Sequence, residues 1–168
     1  MVSALIFIAH GTEEMEFTIV YDTLIIADTT LASLLSSTPE TVADLLVVPG
    51  GAKGAETISQ NEEVQKMIRA QVEAGRFVGM ICAGSLAAKT SGLGKKEKLP
   101  LTSHPSVKAE LDTEFDYQED PVVTSGKVIT SRGPGTAFPF SLTLVEKLLG
   151  PEKREEVQSP MIFPSGAI

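Results

Sequence analysis

Phe77-Val78-Gly79-Met80-Ile81-Cys82-Ala83-Gly84-Ser85-Leu86-Ala87-Ala88 is the stretch on which the reading of the fold turns. A short apolar, partly β-branched run predicts a buried strand. It passes without a linker into small residues that open a helix. A side chain at such a strand-to-helix turn stands at the carboxyl edge of a parallel sheet, facing a crevice. Cys82 occupies that position. The following N–H groups and helix dipole predict a thiol pKa below the free value of about 8.5. The bland alternative is a small buried hydrophobe, and position by itself leaves both open.

Working outward, Leu5-Ile6-Phe7-Ile8 reads as a first strand ending at His10-Gly11. Thr12 then caps a helix whose first turn carries Glu13 and Glu14. Leu45-Leu46-Val47-Val48 reads as a second strand, stopped by Pro49-Gly50-Gly51. A helix follows from about Glu62, with Val64, Met67, Ile68 and Val72 on one face. Asn61 or Ser59 caps it and Gly75 ends it. A short strand is expected over 100–103. Pro121-Val122-Val123-Thr124 and Lys127-Val128-Ile129-Thr130 form a hairpin joined by Ser125-Gly126. A last helix starts near Thr136, tolerates Pro139 in its first turn, and stops at Gly150-Pro151. Phe138, Leu142, Val145, Leu148 and Leu149 are its expected buried residues. Strands alternating with amphipathic helices predict an α/β domain with a mostly parallel sheet, spanning 1–168 as one unit. Only the stretch from Tyr21 to Val42 fails to show the second strand that such winding normally places there.

Composition narrows the function. The 168 residues are 42% apolar and 21% charged, which fits a globular domain. The six-residue run Ala4–Ala9 is far short of the ~20 residues of a spanning helix, and it lacks a signal peptide's flanks. A cytoplasmic-type protein is expected. Fourteen Lys plus Arg against 22 Asp plus Glu give a net charge of −8, which argues against nucleic-acid and membrane partners. With one cysteine and two histidines, no internal disulfide and no Cys-rich zinc site can form. Any cysteine chemistry comes from a lone thiol.

Other candidate groups collect at the same edge. Glu16 lies one turn into the first helix, between Met15 and Phe17. Apolar surroundings raise a carboxyl's pKa, so it can stay protonated and donate to a thiolate. His104, in Thr102-Ser103-His104-Pro105, is either a base or orienting group for Cys82 or an ordinary loop histidine. His10 reads as a turn residue. Pro49-Gly50-Gly51-Ala52-Lys53-Gly54 matches neither a P-loop nor a dinucleotide fingerprint. Its paired glycines are either a tight turn or a bare N–H offered to an oxyanion. Gly94-Lys95-Lys96-Glu97-Lys98 is a solvated loop.

Five segments occur in an order that resembles the DJ-1/PfpI family, its DJ-1-like branch in particular. They are His10-Gly11-Thr12-Glu13-Glu14-Met15-Glu16, Val48-Pro49-Gly50-Gly51, Met80-Ile81-Cys82-Ala83-Gly84, Thr102-Ser103-His104-Pro105 and Thr130-Ser131-Arg132-Gly133-Pro134-Gly135-Thr136. The resemblance implies a flavodoxin-like three-layer sandwich and a homodimer. It implies Cys82 on a nucleophile elbow, Glu16 hydrogen-bonded to its thiolate, His104 nearby, and oxyanion donors at Gly51 and Ala83. It also implies a glutathione-independent glyoxalase, or D-lactate dehydratase, acting on methylglyoxal or glyoxal with no metal or organic cofactor, in the cytoplasm and also the nucleus. Redox sensing, chaperone action and protein deglycation are the alternatives it brings, all on the same thiol. The chain departs from the family between Leu24 and Ile25, where the family carries a second strand and a hairpin of about 30 residues, the length of a crossover unit.

Overall fold

The computed structural model describes residues 2–13, 16, 28–37, 43–95, 97–164 and 166. Its main sheet is built from β1 (Ala4–Ile6), β2 (Leu45–Val48), β3 (Phe77–Ile81), β6 (Val122–Ser125) and β7 (Val128–Ser131), in the order β1-β2-β3-β7-β6. The first four in that order are parallel, and only β6 runs antiparallel, against β7. β4 (Pro100–Leu101) is the short strand expected over 100–103, and it pairs with β5 (Asp116–Tyr117) in a small second sheet that the sequence did not suggest. The hairpin turn is Gly126-Lys127, one residue later than expected, because Ser125 pairs with Val128 and Gly126 takes the positive φ.

Between the strands lie α1 (Leu31–Ser37), α2 (Ala52–Gln60), α3 (Glu62–Glu73), α4 (Leu86–Thr90), α5 (Lys108–Leu111), α6 (Ala137–Leu149) and α7 (Pro151–Gln158). Asn61 caps α3 as its residue type requires, its side-chain oxygen accepting from the Glu63 and Val64 N–H groups. Thr12 is expected to cap N–H groups at 14 and 15, which lie outside the described residues. Its hydroxyl oxygen turns back to accept from the Ala9 N–H at 3.0 Å, closing the end of the first strand segment. The expected first helix is described only at Glu16, and residues 17–27 lie outside the described residues.

Two cores flank the sheet. One packs Leu46, Val48, Val78 and Met80 against Ala55 and Ile58 of α2, Val64 and Ile68 of α3, and Ala87 of α4. The other packs Leu45, Val47, Ile81 and Ile129 against Ala137, Phe140 and Leu144 of α6. This is the flavodoxin-like layering of helix, parallel sheet and helix. The buried face of α6 differs in part from expectation: Leu142 is covered as expected, but Phe140 and Leu144 join it, whereas Phe138 is 41% and Leu149 50% exposed. The helix begins after a 3₁₀ turn at Pro134–Thr136, which rotates the face by a phase the sequence pattern does not reveal.

β1 is the outermost strand among the described residues, with a half-covered, wholly uncharged flank from Val2 to Ala9. No helix among them is long and apolar enough to cross a membrane.

Candidate active site

β2, β3 and β7 are buried parallel neighbours, so the residues that follow them collect at one end of the sheet. Gly50 and Gly51 follow β2, Cys82 follows β3, and Arg132 and Gly133 follow β7. Cys82 has φ 61°, and among the described residues it is the one non-glycine in the left-handed region. Such a conformation costs of order 1–3 kcal/mol and persists where surrounding structure enforces it. Here the chain leaves a buried strand and enters a 3₁₀ turn, Cys82–Ser85, within a single residue. The result is a half-buried thiol on a sharp elbow.

Gly50 shows how tightly the partners converge. A Cβ there would lie 2.5 Å from the Cys82 Cβ, 2.5 Å from Glu16 Oε2 and 2.9 Å from the Cys82 Sγ. Only hydrogen fits. The Gly50 N–H donates to Glu16 Oε2 at 2.6 Å and so fixes the carboxyl beside the thiol. The sequence offers Gly50 only as half of a glycine pair and singles out Gly51; the part Gly50 plays in holding Glu16 is visible only once strand ends are brought together. Gly51 has φ 82°, and a Cβ on it would strike the Gly11 carbonyl oxygen at 2.2 Å. Its N–H and that of Ala83 both act on the Cys82 sulfur.

Glu16 is fully buried, and burial raises its carboxyl above the ordinary value, opposed by the Gly50 N–H and by its contact with Cys82. Oε1 is left without a partner among the described residues. For Cys82 the expectation of a lowered pKa is corrected. Burial first, and the Glu16 charge second, push the thiol up to about 12, outweighing the Ala83 and Gly51 donors. A sequence shows helix dipoles but not desolvation. The two groups share one problem, because a low-dielectric site disfavours two adjacent negative charges. A proton on Glu16 removes the charge that opposes the thiolate and turns the carboxyl into a donor toward sulfur. The Ala83 and Gly51 N–H groups then favour ionised sulfur unopposed by a neighbouring anion.

The structure brings His104 to this end by its main chain, its N–H donating to the Cys82 carbonyl at 3.3 Å. The imidazole is exposed. Its Nδ1 is taken by Ser106, lying 2.8 Å from Oγ and accepting from the N–H at 3.2 Å, which leaves the ring proton on Nε2 in the neutral tautomer. No hydrogen bond links the ring to the sulfur, and its Cδ2 faces Gly133. The loop after β7 is pinned by Thr136, whose Oγ1 accepts from the Arg132 and Gly133 N–H groups at 3.1 and 3.0 Å. His10 is an exposed turn residue, as read. Among the described residues no cluster of three His, Cys, Asp or Glu side chains is placed to hold a metal ion.

Comparison with known proteins agrees with this arrangement. Residues 25–147 match the model of the DJ-1/PfpI family. Protein DJ-1 homolog B of Arabidopsis thaliana is 38% identical over 95% of this chain, which spans only 41% of that relative. The glutathione-independent glyoxalase DJ-1 of Schizosaccharomyces pombe is 40% identical over 72% of this chain and 63% of its own length. The crystal structure of Drosophila melanogaster DJ-1beta superposes with a TM-score of 0.84 at 33% identity, covering 95% of this chain and 97% of that one. With strand order, elbow and sequence all agreeing, the chain belongs to the DJ-1/PfpI family.

Proposed function

We propose that this protein is a glutathione-independent glyoxalase, converting methylglyoxal to D-lactate and taking glyoxal as a second substrate. The observation that carries the reading is the buried Glu16 carboxyl, anchored by Gly50 against a thiol on a strained elbow. The Cys82 thiolate, its proton passed to Glu16, adds to the aldehyde carbon C1 and gives a hemithioacetal. The Gly51 and Ala83 N–H groups stabilise the oxyanion. Glu16 returns its proton to that oxygen and, now a carboxylate, moves the C1 proton to C2 through an enediol. The product thioester is hydrolysed by water, which returns the thiol and yields one lactate per methylglyoxal. The reaction is an internal redox shift plus hydration, so it balances without an outside oxidant, metal or organic cofactor. His104 holds the Cys82 backbone and walls the approach.

The same reading takes the protein as a homodimer working in the cytoplasm and nucleus. Exposed Phe138, Met161 and Ile162 supply apolar surface for a dimer contact. Redox sensing is a second use of the same sulfur, favoured by its partial exposure and by two N–H donors able to hold sulfinate oxygens. Chaperone action and deglycation would draw on this thiol as well.

Lactate formation from methylglyoxal without glutathione tests the proposal. Wild type is expected to produce it, and Cys82→Ser to lose at least about 10³-fold in rate. Equal consumption by the two proteins would end the reading.

A further inference from the structure

Beside the elbow stands a set of charges that the proposed reaction does not use. Ile81 pairs with Ser131 on adjacent parallel strands, and Cys82 and Arg132 are the residues that follow each of them. The Arg132 guanidinium does not lie free at the mouth. It forms an ion pair with Glu119 Oε2 and also donates to the Glu119 main-chain oxygen at 2.7 Å. Glu119 Oε1 accepts from the Lys108 ammonium at 2.6 Å. Lys108 begins α5, immediately after the turn that starts at His104, and sits 5.0 Å from the centre of the Tyr117 ring. Tyr117 donates its hydroxyl to the Ser103 carbonyl at 3.0 Å. Contacts thus close a ring around His104, from Ser103 through Tyr117, Lys108, Glu119 and Arg132 to Gly133. Asp112 lies within electrostatic reach of Lys108, which makes the charge count two cations against two anions. Lys108 and Arg132 hold the Glu119 carboxyl below its ordinary range, so it stays ionised at neutral pH.

We infer that Glu119 determines the charge selectivity of the Cys82 site, offsetting Arg132 and Lys108 together with Asp112 so that the site takes uncharged aldehydes and discriminates against carboxylate-bearing ones. The substrate part rests on the glyoxalase reading; the charge part rests on the geometry alone. Neutralising one charge beside the site changes the encounter with an anion by about threefold where salt does not screen it.

Two rate ratios test this. The first is Cys82 alkylation by anionic iodoacetate over neutral iodoacetamide. The second is kcat/KM for glyoxylate over methylglyoxal. In Glu119→Gln both ratios are expected to rise about threefold at low salt and to return toward wild type at 1 M salt, where the Debye length is about 3 Å. Lys108→Gln, which removes a cation and leaves Glu119 in place, is expected to lower both, and it decides the matter if Glu119→Gln does not fold. Unchanged alkylation ratios in folded variants overturn the inference whatever the enzyme turns over. A shifted alkylation ratio with an unshifted substrate ratio also overturns it. A wild type that alkylates as expected but converts neither aldehyde leaves the charge filter standing and rejects the glyoxalase reading instead.

Discussion

The Cys82 elbow and the His104 loop meet at the same end of the sheet and are built in opposite ways. At the elbow almost everything is buried and something is left wanting: a left-handed cysteine, a carboxyl oxygen without a partner among the described residues, and two acids competing for one proton. Around His104 the imidazole, Ser106 and Glu119 are exposed, and the side chains that tie the loop down are paired with one another or with main chain. Ser106 occupies Nδ1, Thr136 pins the neighbouring loop, and Glu119 gathers two cations. Backbone strain gathers at the candidate site. The wall beside it is held by many weak, redundant ties.

That contrast predicts a steep gradient of mutational effects. The largest is at Gly50. Gly50→Ala places a methyl group within 2.5 Å of both Cys82 Cβ and Glu16 Oε2, so chemical denaturation is expected to show a loss of about 1–3 kcal/mol. The thiol and carboxyl are also forced apart, and lactate formation should disappear with it. An active, fully stable Gly50→Ala protein would show that the two groups need not be in contact.

Next is Glu16→Gln, expected to cut turnover by about 10²–10⁴-fold through loss of the proton carrier. It also has a stability signature. Because burial raises the folded-state pKa of Glu16, its favourable contribution is complete below the ordinary carboxylate value and fades as pH climbs through the raised one. Wild type therefore loses stability across that window, by about 1.4 kcal/mol for each tenfold change in proton affinity, and the glutamine variant does not. Melting curves from pH 4 to pH 9 that run parallel for the two proteins would contradict the burial argument. The smallest effect is His104→Ala, expected to lower kcat less than about tenfold, because its tie to Cys82 is made by the backbone. A loss as large as that of Cys82→Ser would make the imidazole a direct participant and erase the contrast.

What the sequence disclosed follows the same division. β3 and its turn were legible because an apolar run and a string of small residues lie side by side in the chain. The five motif segments were legible because each is contiguous. α2 was not, since its buried face consists of Gly54, Ala55, Ile58 and Ser59, too small and too mixed to register as an apolar stripe. α7 carries one apolar residue in Pro-Glu-Lys-Arg-Glu-Glu-Val-Gln and depends on α6, to which the Arg154–Glu146 ion pair ties it. Phe138 was misplaced because a helix's phase is fixed by what it packs on, and Phe140 rather than Phe138 meets β3 at Gly79. The site residues Cys82, Glu16, Gly51, Ala83 and His104 do gather at one sheet end. Their electrostatics could not be read ahead, since desolvation is a property of the assembled fold and of no single stretch.

One architectural detail bears on how the protein behaves in a tube. The sheet ends at β1, which among the described residues pairs only with β2, and the flank from Val2 to Ala9 has no lysine, proline or other residue that discourages further pairing. Mutual repulsion at a net charge of −8 keeps molecules from approaching along that rim. Acidification titrates the carboxylates that supply this repulsion, so colloidal stability declines with falling pH well before the globule itself comes apart.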